Sequence, residues 1–198
     1  MEDHELKSIL ESLLFVSTEP LTIDQLASVL ALSSDRQQLA DRQRIFTVLQ
    51  KVQEEYREMG HGLQLVEVAG GYQITTRPEN APWIKQLQTV RTATRLSRPA
   101  LETLAIVTYR QPVSTPEIEA IRGVDCSGVL KTLLERRLIK IVGRKEAVGK
   151  PMLYGTTREF LQYFGLRDIS ELPPLKDLQE LAQESPELTA VAQAPSEE

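Results

Sequence analysis

Pro20-Leu21-Thr22-Ile23-Asp24-Gln25-Leu26 and Pro112-Val113-Ser114-Thr115-Pro116-Glu117-Ile118 are two versions of one turn, set 92 residues apart. In each, a proline stops the preceding helix, because it has no N–H to donate and clashes with a helix interior. A hydroxyl residue, Thr22 or Ser114, then stands three places before Gln25 or Glu117, which is the pattern of a capping box. Leu21 with Leu26, and Val113 with Ile118, flank the cap as a hydrophobic staple that sets the angle at which the chain enters the next helix. Such a cap contributes about 0.5–2 kcal/mol and marks where a second helix begins.

Working outward, the same offset holds upstream: Ile9, Leu13, Leu14 and Phe15 fall opposite Leu101, Ala105, Ile106 and Val107 without a gap. Leu6, Ile9, Leu10, Leu13 and Leu14 form one helical stripe, so each copy opens on an amphipathic helix. Downstream, each copy has a third helix and then two short alternating runs. In the first copy these are Leu63 to Val68 and Tyr72 to Thr75, with Gly70-Gly71 expected to supply the turn. In the second they are Leu138 to Val142 and Met152 to Thr156, around a charged loop from Gly143 to Pro151. Tyr72-Gln73-Ile74-Thr75-Thr76 is echoed by Tyr154-Gly155-Thr156-Thr157. Three helices followed by a β-hairpin is the winged-helix arrangement. The chain therefore reads as α+β and mostly helical, with two tandem winged-helix domains. The expected division is 1–80, 81–97 (a short helix with Trp83, Ile84, Leu87 and Val90 on its apolar side, then a polar linker), 98–166, and an acidic, largely disordered tail over 167–198. Within the tail, Leu175, Leu178 and Leu181 have the spacing of a short helix.

The third helices differ. The first is expected from about Asp35 to Met59, with Ile45, Leu49, Val52, Tyr56 and Met59 stepping by 4, 3, 4 and 3, a heptad-like seam. One stripe of this kind serves either the domain's own core or a partner. A helix of that length would overhang so small a domain, so Ile45, Leu49, Val52 and Tyr56 are assigned to a homodimer interface. The second third helix runs only from about Asp125 to Arg137. Its N-terminus, Asp125-Cys126-Ser127-Gly128, lacks the Arg, Asn, Gln or Lys with which such helices read bases.

Charge separates the copies. Residues 91–165 carry 13 basic and 7 acidic side chains, whereas residues 166–198 carry 2 basic and 8 acidic ones. A basic module between acidic segments points to nucleic acid or an acidic partner. Phosphate contact through Arg122, Lys140, Arg144, Lys145 and Lys150 fits that balance; sequence-specific readout does not. No apparatus for catalysis is legible. Gly143 to Pro151 has five residues between its glycines where a phosphate loop has four, and it lies in a hairpin. His4 and His61 are the two histidines and Cys126 the one cysteine, too few for a metal cluster or a nucleophile with its base. The reading is of no enzyme, no cofactor and no metal. The acidic N-terminus and the lack of an apolar run near the ~20 residues that span a bilayer point to a cytoplasmic protein without a membrane segment.

Ala100 to Pro112, Glu117 to Val124, Pro151 to Thr157 and Phe160 to Leu166 closely resemble the C-terminal domain of the segregation and condensation protein B family. Leu10 to Phe15 with Glu19-Pro20-Leu21 is similar to its N-terminal domain. The resemblance covers roughly residues 5–175. It implies a non-catalytic, nucleoid-associated subunit that dimerises through its N-terminal domain. It also implies binding of a kleisin, segregation and condensation protein A, which bridges the heads of a structural maintenance of chromosomes (SMC) ATPase. Arg110, Gln111, Arg122 and Tyr154 lie in the matched strings and are the candidate kleisin contacts. A DNA-binding regulator that uses the basic second domain is the competing reading.

Overall fold

Helix α1 (Asp3–Val16) leads into the first turn and α5 (Arg98–Arg110) into the second. The computed structural model of the chain describes residues 3–32, 41–58, 60–87 and 96–174. Beyond the turns lie α2 (Ile23–Ala31) and α6 (Thr115–Arg122). In the first box, the Gln25 N–H donates to Thr22 Oγ1 at 3.2 Å and the Thr22 N–H donates to Gln25 Oε1 at 2.8 Å. In the second, the Ser114 N–H and hydroxyl both donate to Glu117 Oε2, at 2.9 and 2.5 Å. These bonds satisfy groups that a helix start leaves unpaired. The staple residues Leu26, Val113 and Ile118 are buried.

Helices α3 (Arg42–Glu58) and α7 (Ser127–Glu135) complete the two triplets. Strands β1 (Leu63–Val68) and β2 (Gly71–Thr76) form the first hairpin, in the register Leu63 to Thr76 through Val68 to Gly71. In the second copy β3 (Val113–Ser114), β4 (Ile139–Arg144) and β5 (Met152–Thr156) form a sheet of order β3-β5-β4. The repeated tyrosines do the same work in both copies. Leu21 and Tyr72 exchange backbone hydrogen bonds at 2.9 and 2.8 Å, and Val113 pairs with Tyr154. Each ties the hairpin to the residue just before the capping box, and both rings are buried.

Two separate cores result. The first gathers Leu6, Leu10, Leu14, Leu26, Leu49 and Leu65; the second gathers Leu104, Val107, Ile118, Leu133, Ile139 and Phe160. The apolar side expected over 81–90 forms α4 (Ala81–Leu87), while residues 88–95 lie outside the described residues.

Two local expectations are corrected and one helix is added. The β1–β2 turn is Ala69-Gly70, both at positive φ, rather than Gly70-Gly71. Gly71 is needed for another reason: a Cβ there would lie 2.9 Å from the Leu21 carbonyl. The second domain does not give way to a tail at 167. Leu166 and Ile169 pack on its core, Ile169–Glu171 forms a 3-10 turn, and the described chain runs to Pro174. Finally, α8 (Arg158–Phe164) follows β5, capped by the Thr157 hydroxyl, which accepts from the Phe160 N–H at 3.1 Å. The repeat pattern does not show this helix, although Thr157 before a Phe160–Phe164 spacing and a terminal Gly165 are its local signals.

Helix α7 ends on Arg137 at φ +56°, a left-handed position that glycine occupies at little cost. The Leu138 N–H donates to the Leu133 carbonyl and the Arg137 N–H to the Leu134 carbonyl, a complete Schellman closure. The closure keeps the helix end in place without glycine.

Candidate partner-binding surfaces

The four residues assigned to a dimer seam lie inside the first domain. Ile45 and Leu49 are 0% exposed and Val52 1%, packed in the first core, with Tyr56 partly buried at its edge. Tyr56 meets the His61 ring edge-on at 5.2 Å, and burial pushes its hydroxyl pKa up. This corrects the seam. Helix α3 does not overhang, because α1 on one side and β1 on the other cover its stripe. Its outer face is ionic instead. Arg44 and Lys51 both reach Asp3, at 3.1 and 3.2 Å, and Lys7 pairs with Glu55. The Lys51 and Arg44 contacts hold the Asp3 carboxyl below its usual range.

Apolar surface is left uncovered elsewhere, on α4 and at the end of α1. Trp83 is 70% and Leu87 87% exposed, one helical turn apart on the same face of α4. Phe15 and Val16 at the end of α1 are exposed as well.

In the second domain the four candidate kleisin contacts do not form one exposed patch. Tyr154 is buried in the core, which removes its ring as a contact surface and corrects that assignment. Gln111 is clamped internally. Its Oε1 accepts from the Thr156 N–H at 2.8 Å and from the Thr156 hydroxyl at 3.1 Å, and its Nε2 donates to the Thr108 carbonyl at 3.2 Å. The Arg122 side chain, 13% exposed, is paired with Glu102. Arg110, at the end of α5, is the exposed member of the set.

A residue outside the expected set joins the domains. Arg158, the first residue of α8, donates from Nε to the Ala69 carbonyl at 3.1 Å and from Nη2 to the Pro20 carbonyl at 2.9 Å. The Ala69 N–H donates in turn to the Leu166 carbonyl at 2.8 Å. Arg158 at the start of α8 and Leu166, two residues past its end, therefore hold Ala69 at the tip of the first domain's hairpin. A forked guanidinium suits this task, since it reaches two carbonyls at once.

Two further surfaces lie on the second domain. One is an apolar groove of about 260 Å³ between α5 and α8, lined by Leu101, Leu104, Tyr109, Phe160, Phe164 and Leu172. The other is the wing, where Lys140, Arg144, Lys150 and Val148 are exposed. Lys145 does not stand free there; it pairs with Glu117 at 2.6 Å. That ion pair, then the hydrogen bonds from Ser114, bring the Glu117 carboxyl down from 4.5 to about 2. A carboxyl lowered in this way stabilises the fold above its ordinary pKa and loses the effect as pH falls through its folded value. The contribution of Glu117 is thus expected to be complete above pH 4.5 and to fade toward about pH 2. Thermal unfolding of Glu117→Gln against the parent checks this: the variant is less stable at neutral pH, and the gap narrows through that window. A gap independent of pH would refute it.

Among the described residues no group of three or more His, Cys, Asp or Glu side chains is placed to hold a metal, and no helix is long and apolar enough to cross a membrane. Residues 8–175 match the family model of the segregation and condensation complex subunit ScpB. The chain is 50% identical over 188 residues to segregation and condensation protein B of Syntrophotalea carbinolica, covering 95% of this chain and 91% of that protein. It is similar to the crystal structure of ScpB from Mycobacterium tuberculosis, with 36% identity, a TM-score of 0.38, and 84% and 98% of the two chains covered. It is also similar to a dimer of an ScpB N-terminal domain complexed with an ScpA peptide, with 32% identity, a TM-score of 0.37, and 42% and 95% covered.

Proposed function

We propose that this chain, which belongs to the segregation and condensation complex subunit ScpB family, acts as a non-catalytic homodimer that captures a kleisin bridging an SMC-type ATPase at the nucleoid. The observation that carries the reading is the distribution of apolar surface. Each domain has a closed core, yet apolar faces stay bare: α4, just past the first domain, and the α5–α8 groove on the second. Contiguous exposed apolar surface marks a place for a partner. The α4 face, with Trp83 and Leu87, replaces the α3 seam as the dimer surface. Burying side chains of this size contributes about 1.5–3 kcal/mol each before the cost of association.

Trp83 is the chain's one tryptophan, so its emission reports on this face directly. Emission is expected to shift to the blue as concentration rises and mass doubles. Leu87→Asp should move that transition to at least tenfold higher concentration while leaving the fold intact. A mass that stays that of a single chain at every concentration, with emission unchanged, would remove the dimer. Co-purification with the kleisin, followed by native mass determination, tests the second half; a chain that dimerises but retains no kleisin would overturn it.

The exposed Lys140, Arg144 and Lys150 of the wing support phosphate contact with DNA that is not sequence-specific. Failure to retain duplex DNA at low salt would eliminate that contact. Asp125, Ser127 and Gly128 are exposed at the start of α7, which disfavours a base-reading transcriptional regulator.

A further inference from the structure

We propose that the outer edge of β4 in the second domain takes up an extended acidic segment of another protein as an added strand. The site is the wing, not the α5–α8 groove. The inference goes beyond the kleisin reading, because the chemistry of the segment decides the fit whichever protein carries it.

A strand at the end of a sheet presents unpaired N–H and C=O groups, which proteins ordinarily cover or blunt. The two hairpins differ in this respect. In the first domain α3 packs on β1, and Gln53 Nε2 donates to the Leu65 carbonyl at 3.1 Å. In the second, β4 stands at the end of the order β3-β5-β4. Among the described residues only β5 bonds to the main chain of β4. The strand has the length over which ordinary strands pair.

The side chains along this edge set the chemistry of the occupant. A hollow of about 280 Å³ beside it is lined by Gln111, Pro112, Val142 and Gly155. A Cβ on Gly155 would lie 3.1 Å from both Val142 Cγ1 and Gln111 Oε1, so the bare glycine keeps the hollow open. The bonds from Thr156 to Gln111 fix its wall. Lys140 stands opposite Gly155 in the β4–β5 register, which puts its side chain on the face of the hollow. Val142 is 48% exposed there. Side chains of an added strand alternate between faces. An acidic residue beside Lys140 and an apolar one two positions on, beside Val142, therefore meet both features. Residues 136–152 carry 6 basic and 1 acidic side chains, and Lys140 and Arg144, near the two ends of the strand, are exposed. Complementary charge calls for an acidic occupant. A second copy is disfavoured, because β4 paired with itself sets like charges side by side. Phosphate contact with DNA would use the same two side chains but would leave the edge carbonyls and the hollow without a partner.

The test uses the full chain and a fluorescein-labelled seven-residue probe, with glutamate at its second and sixth positions, valine at its fourth and threonine elsewhere. Saturable binding is expected. A strand offers every second amide to one neighbour. N-methylation of one alternate set of probe amides should therefore weaken binding tenfold or more, and that of the other set less than twofold. Lys140→Glu should weaken binding at least fivefold. Lys131→Glu, the same change of charge at an exposed position on α7, should leave it within twofold. With the probe bound, alternate amides of β4 should gain protection from hydrogen exchange. Absence of saturable binding would overturn the proposal. Equal effects of the two methylated sets, or of the two lysine variants, would reduce the edge to a patch of charge and overturn it as well. Duplex DNA bound where the probe is not would assign the wing to nucleic acid instead. Protection of β4 that rises with protein concentration in the absence of probe would assign it to a second copy; either result overturns the proposal. Since the probe is synthetic, loss of kleisin capture sinks the functional reading and leaves this one standing.

Discussion

Leu49→Asp is expected to unfold the N-terminal domain rather than to yield a folded monomer. Leu49 is fully buried among Leu6, Leu10, Leu14 and Leu65. Truncating a buried leucine alone costs about 2–5 kcal/mol, and the aspartate adds a carboxylate with no partner in an apolar core. Together these consume much of the 5–15 kcal/mol by which a domain is typically stable. In an amide correlation spectrum, the dispersed signals of residues 3–87 should collapse while those of the second core persist, because the two cores are separate. A folded monomer would return Leu49 to an intermolecular seam. Leu87→Asp is the control: its side chain is in solvent and leaves the spectrum dispersed.

Arg158→Ala is expected to release the two domains from each other. Among the described residues the guanidinium makes two side-chain bonds across the junction, to Pro20 and Ala69. Hydrogen bonds to a charged group contribute about 1.5–3 kcal/mol each, and the mutation also strands two carbonyls. The reporter is the Ala69 N–H, bonded to the Leu166 carbonyl. Its hydrogen exchange should accelerate by about tenfold or more, with core amides of both domains unchanged. Arg158→Lys restores one carbonyl at most, since an ammonium lacks the planar fork, and should rescue protection only in part. Protection equal to the parent's in Arg158→Ala would mean that the junction is held elsewhere.

How much was legible depended on the range of the interaction. The capping boxes at Thr22 and Ser114 are made by residues three apart, so the start and direction of α2 and α6 could be read directly. The tyrosine echo located the hairpins because Tyr72 and Tyr154 hold equivalent pairings. Helix α8 was missed although its cap is local, since it stands outside the repeat. Ala69 took the left-handed turn position expected of a glycine, because the hairpin register and the contacts to Arg158 and Leu166 place it there.

Local chemistry thus settled the duplicated three-helix-and-hairpin plan and the contrast of charge between its parts. It did not settle which apolar stripes are spare. The stripe of α3 and that of α4 look alike in one dimension, for an amphipathic helix carries the same pattern whatever covers it. Packing against α1 and β1 uses up the first, and among the described residues Trp83 and Leu87 of the second stay in solvent. Nor did any neighbour in the chain mark Arg158 out from the other basic residues of its domain. Its two acceptors lie 89 and 138 residues away, a distance that only the folding of both domains against each other closes.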